Sequence, residues 1–163
     1  MAYSSSSAWR VRRPAARIGA GVSSPGRDDP ATALNQVLSE VIDGVLDVRQ
    51  AYRRVPETHA LHGLLDQLLS DLRAWARLLA DQDLALGVSP LASMPTATGR
   101  KPPHSWHGAA SDEEVRRIVG EDLDRLGQYL AAALAEQQDD PVRAALDEVE
   151  RGLLAHKRAL SEL

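Results

Sequence analysis

Apolar residues along the chain recur at three- and four-residue spacing in four separate stretches, the period of one face of an α-helix. The first stretch places Leu34, Val37, Val41, Val45, Val48 and Tyr52 on one side, with Leu38 and Ile42 alongside. It starts near Asp29-Pro30, a capping residue followed by a proline at the first helical position, and stops before Pro56. The second, from about Thr58 to Leu86, carries Leu61, Leu65, Leu68, Leu72, Trp75, Leu79 and Leu86, interrupted only at Gln82, and Gly87 suits a helix terminus. A third opens at Ser111 with Glu114 three residues on, the pattern of a capping box, and turns Val115, Ile118, Leu126, Leu130 and Leu134 inward. The fourth opens at Asp140-Pro141 and continues through Val142, Leu146, Val149, Leu153 and Leu160.

Connection lengths turn four helices into a topology. Short links between the first and second and between the third and fourth predict antiparallel hairpins. Residues 88–110 hold four prolines and read as a long crossover, with one short helical turn near Pro103–His107. A link of that length spans a bundle. The fold class is therefore all-α: a ferritin-like four-helix bundle of residues 30–163 with one long crossover.

Composition agrees. Three tyrosines, three tryptophans and no phenylalanine leave Leu, Ala and Val to build the core, which favours helix on helix over a sheet. The absence of cysteine excludes disulfides, thiolate metal sites and cysteine nucleophiles. No apolar run approaches the ~18 residues of a membrane span. Net charge changes the picture more. Residues 1–27 carry Arg10, Arg12, Arg13, Arg17 and Arg27 with no acid, so a +5 segment precedes a remainder of −9. Residues 1–29, rich in Ser, Gly, Pro and Arg and without periodicity, read as a disordered basic tail. They lack the apolar stretch of a secretory signal, and their composition is shared by transit peptides. A cytoplasmic, nucleoid-associated location is the expectation.

The second helix also carries the candidate chemistry. His62 and Asp66 are four residues apart on one face, as are Arg77 and Asp81. A histidine with carboxylates suits a metal; an arginine among them does not. Around these residues, "ALHGLLD" followed by "LLADQDLALGVSPLAS" resembles the Dps family, the DNA-binding proteins from starved cells, whose pattern reads "ALHELLD" and "AERIRALGG-PLGT". The register from Ala60 to Ser93 needs no gap. "VRQAYRR" is similar to the family's "KQAHWN". "LAAALAEQQDD" and "VERGLLAHKRAL" are similar to its third-helix end and fourth helix, so the likeness covers about residues 32–163.

The resemblance implies a homo-oligomer, a twelve-subunit shell with a dimer as its minimum, and a ferroxidase centre for iron at a two-fold interface between chains. His62 and Asp66 match a ligating histidine and carboxylate, and Asp81 stands where the partner chain's bridging glutamate is expected. Two positions depart from the pattern. Tyr52 replaces a helix-one histidine and Arg77 a ligating aspartate, which degrades the metal site and leaves ferroxidase activity weak or lost. Asp81 is also one methylene shorter than a glutamate.

Each feature has a plainer reading. The His62–Asp66 pair is also an ordinary surface contact, and Arg77 with Asp81 an exposed helical pair. Tyr52 is a packing residue with a hydrogen-bonded hydroxyl, and His156 a satisfied core histidine. His104 and His107 flank an anchoring Trp106 in a polar loop. The tail arginines Arg10, Arg12, Arg13 and Arg17 offer DNA phosphate contacts without base readout, or serve as a solubilising leader. Nucleotide-binding glycine loops, GxSxG and HExxH are absent. Three functions follow: a Dps-like shell protein with an eroded iron site, a working ferroxidase and iron store, or a purely structural oligomer.

Overall fold

A computed structural model describes residues 30–88 and 111–163. The tail with its five arginines, and the segment holding His104, Trp106 and His107, lie outside the described residues. Four α-helices account for nearly all the rest: α1 (Pro30–Tyr52), α2 (Ala60–Ala85), α3 (Asp112–Glu136) and α4 (Asp140–Ser161). No strand occurs among the described residues, and no described helix is long and apolar enough to cross a membrane.

The helix ends follow local chemistry. Ser111 caps α3, its Oγ accepting from the Glu114 N–H at 3.2 Å. Asp139, one residue earlier than the sequence suggests, caps α4 by accepting from the Val142 N–H at 3.1 Å, with Pro141 in the first turn. At the end of α2, Gly87 takes the left-handed conformation (φ 73°), which lets the Val88 N–H reach the Asp83 carbonyl at 2.9 Å. The start of α2 differs from the expectation. It begins at Ala60 with His59 at the capping position, and His59 makes no side-chain cap.

α1 packs against α2 and α3, and α4 packs against the same two. Within the hairpins the helices are antiparallel. His59, before α2, meets Asp112, at the start of α3, at 2.8 Å, so α2 and α3 begin at the same end and run parallel across the bundle. The connection between them therefore joins opposite ends of a helix about 39 Å long.

The core is the leucine seam the pattern anticipates. Leu34, Leu65, Leu68, Leu72, Leu79, Leu130, Leu146 and Leu153 are fully buried, each contributing roughly 1.5–3 kcal/mol of transfer free energy. Leu86 leaves the seam: it caps α2 and is 38% exposed, while Asp83 occupies the inward position one turn after Leu79. Arg125 ties α1 to α3, donating to Glu40 at 2.8 Å and to Asp122 at 2.7 Å. Burial opposes its charge, but these two carboxylates outweigh it and hold the guanidinium pKa above its ordinary value.

Trp75 fixes the spacing of α2 and α4. Its indole lies where a side chain on Gly152 would be, since a Cβ there would stand 2.4 Å from Trp75 Cζ2. A Cβ on Gly127 would instead meet Leu153 at an ordinary 3.5 Å. Gly127→Ala should stabilise by up to about 1 kcal/mol through helix propensity. Gly152→Ala gains the same propensity but overpacks the indole, which costs about 1–3 kcal/mol. Thermal unfolding followed by circular dichroism should show Gly127→Ala melting above wild type and Gly152→Ala below it.

Candidate functional site on the outer face of α2

With the leucines of α2 turned inward, His62, Asp66, Arg77 and Asp81 fall on the opposite side. His62 is half-buried and the other three are exposed. The fifteen-residue offset between the pairs corresponds to about 22 Å along the axis and about 60° around it, so both pairs share one outward face at different heights. They do not meet within a chain. Among the described residues, Asp66, Arg77 and Asp81 have no hydrogen-bond or ion-pair partner. The exposed Arg77–Asp81 helical pair is not formed.

Tyr52 and His62 are brought together. Tyr52 ends α1, the chain turns through buried Val55, and the tyrosine ring returns against His62 with centroids 4.1 Å apart and planes tilted by 33°. The phenol covers a face of the imidazole where the resemblance calls for a second nitrogen donor. No group of three His, Asp or Glu side chains converges among the described residues. Within one chain, His62, Asp66 and Asp81, with Tyr52 stacked on one and Arg77 between the others on the face, do not assemble a di-iron centre. A guanidinium is permanently charged. About 4 Å from a cation it costs about 4 kcal/mol per unit of metal charge, even at an effective dielectric near 20.

Two histidines serve as clasps. His156 is buried, as its inward place on α4 suggests, and its Nε2 bonds the Asp71 carboxylate at 2.8 Å. Gln67 donates to the same carboxylate at 3.1 Å, and Trp75 meets the His156 ring edge-on at 6.0 Å. His59 does the equivalent for α2 and α3 through Nδ1. Both join the α1–α2 hairpin to the α3–α4 hairpin.

Sequence reasoning missed Asp83. It is 0% exposed and neither carboxylate oxygen has a partner. Desolvation raises its pKa from 3.8 to about 6. The available signal was its position four residues after Leu79, in register with the seam where Leu86 is not.

No protein-family profile matches the chain, and no curated protein matches it in sequence. The site reading rests on the chain's own residues.

Because the folded state holds the Asp83 proton more tightly than the unfolded chain does, this group removes stability as pH rises from about 4 to about 6. Above pH 6 its full cost, on the order of 3 kcal/mol, is present. Asp83→Asn, neutral throughout, should be more stable than wild type at pH 7.5, and the difference should shrink toward zero at pH 4. Denaturant unfolding at both values measures it.

Proposed function

We propose that this chain is a Dps-like, shell-forming subunit that has exchanged its ferroxidase centre for a protein-only contact, and that it holds DNA through its basic tail. The observation that carries the reading is the division of the site residues into two half-sets on one exposed face of α2. Among the described residues, Asp66, Arg77 and Asp81 have no hydrogen-bond or ion-pair partner, and His62 has only the Tyr52 ring. The halves are complementary under a two-fold rotation. About a centre between Asp71 and Leu72, Asp66 mirrors Arg77 and His62 mirrors Asp81, so an antiparallel second copy brings acid to arginine and acid to imidazole twice over. Such self-complementarity is what an isologous contact requires. Leu46, half exposed on α1, lies two residues from Gly44, whose neighbour is Leu72, and supplies an apolar element at mid-height of the same hairpin.

In this arrangement Arg77 lies beside the carboxylates that iron would need. An arginine–carboxylate pair forms two parallel hydrogen bonds, and it takes the metal's place without metal. The acidic body leaves DNA contact to Arg10, Arg12, Arg13 and Arg17. These address phosphates rather than bases, and many tails on one particle act multivalently. A cytoplasmic, nucleoid-associated location belongs to the same reading.

Native mass in solution should be that of a dodecamer, with a dimer as the minimum; a 17.7 kDa monomer refutes assembly. Wild type should oxidise added Fe²⁺ no faster than buffer in air, whereas Arg77→Asp with Tyr52→His, which restores two donors and removes the cation, should bind and oxidise it faster. Rapid oxidation by wild type, lost in Asp66→Ala, would instead establish a working ferroxidase.

Deleting residues 1–29 should abolish retardation of DNA in a gel and leave the number of subunits in the particle unchanged, and retardation by the full chain should weaken steeply with salt. An oligomer that never retards DNA leaves a structural assembly.

A further inference from the structure

Three helix ends meet at the end of the bundle where α2 and α3 begin, and they do not close on one another. One cleft of about 340 Å³ lies among His59, Ala60, Leu61, Asp112, Arg116 and Leu163. A second, of about 370 Å³, runs between α3 and the last turn of α4 over Gly120 and Leu160. Arg116 lines both clefts.

Most of the charges around them are paired. Lys157 pairs with Asp124, Arg117 with Glu121 at 2.7 Å, and His59 with Asp112 at 2.8 Å. Arg116 has no such partner among the described residues, although it is half-buried. The other half-buried cations among the described residues all have one: Arg54, Arg125 and Lys157. A guanidinium that has lost part of its hydration and gained no counter-ion favours an anion from outside.

The second cleft differs in chemistry. Its floor is the bare backbone of Gly120 beside the Leu160 side chain, where an added Cβ would lie 3.8 Å from Leu160 Cδ2. Glu113 stands exposed at its rim and disfavours a second negative charge. An anionic head at Arg116 and an apolar body over Gly120 therefore fit the two clefts together.

We propose that this double cleft binds a small amphipathic monoanion, an alkyl or aryl carboxylate, with its carboxylate on Arg116 and its apolar part along Gly120 and Leu160. The inference is independent of self-assembly through α2. Octanoate is a suitable probe, with acetate for the head alone and 1-octanol for the body alone, each titrated into the full chain by calorimetry and by amide chemical-shift mapping. Octanoate should bind in the sub-millimolar range, and acetate and octanol at least about ten-fold more weakly. Arg116→Gln should weaken octanoate by about ten-fold or more, as should Gly120→Leu, which fills the apolar cleft, with helical content retained in both. No shift at the residues around Arg116 with millimolar octanoate overturns the proposal, and so does equal binding by Arg116→Gln. Equal binding of acetate reduces the site to a simple anion contact, and equal binding of octanol to an apolar surface; either result refutes it.

Discussion

Burial of the leucine seam of α2 is the constraint on which the rest of this molecule depends. Leu65, Leu68, Leu72 and Leu79 are fully buried between α1 and α4, and a helix cannot turn one residue inward without fixing the direction of its neighbours. Once the seam is committed, His62, Asp66, Arg77 and Asp81 have no direction left but outward. The functional face is thus the geometric complement of the core. The seam also seats Trp75 against Gly152 and so sets how closely α4 approaches.

Within that frame, polar groups decide how the two hairpins hold together. Arg125 between Glu40 and Asp122, His156 on Asp71, and His59 on Asp112 each cross from one hairpin to the other. These contacts are partly exposed, His59 and Asp112 most of all, and such pairs contribute little net stability because water screens their attraction. Their role here is register: each clasp is satisfied at one relative height of the hairpins. Asp83 is the exception, a carboxyl group with no partner among the described residues, whose raised pKa withdraws stability at neutral pH. The same amphipathic logic leaves the opposite end of the bundle unfinished, where helix ends with mismatched lengths enclose the clefts beside Arg116.

The separation of the site halves along one rigid helix has a direct consequence for chemistry. Residues about 22 Å apart do not act on one ligand within a chain, so whatever they do together requires a second copy. Arg77, a permanent cation on the same face as Asp66 and Asp81, weighs against a metal there. Tyr52 acts in the same direction, covering His62 with a ring in place of a second donor.

Periodicity and capping chemistry determined the four helices, the Ser111 cap of α3 and the Gly87 end of α2, most of the inward leucines and the inward place of His156, all properties of residues within a few positions of one another. The outward face of α2 was equally legible, because helical phase alone assigns it. What only the tertiary structure decided involves residues far apart in sequence or a fine choice of phase. Gln82 and Leu86 continue an average heptad, yet the straight helix placed Asp83 inward and Leu86 at the cap. The stacking of Tyr52 on His62 depends on how the turn after α1 closes. The clasp between His59 and Asp112 depends on α2 and α3 starting at one height. The fit of Trp75 to Gly152 depends on the distance between two helix axes, and packing of whole helices, rather than any local pattern, sets that distance.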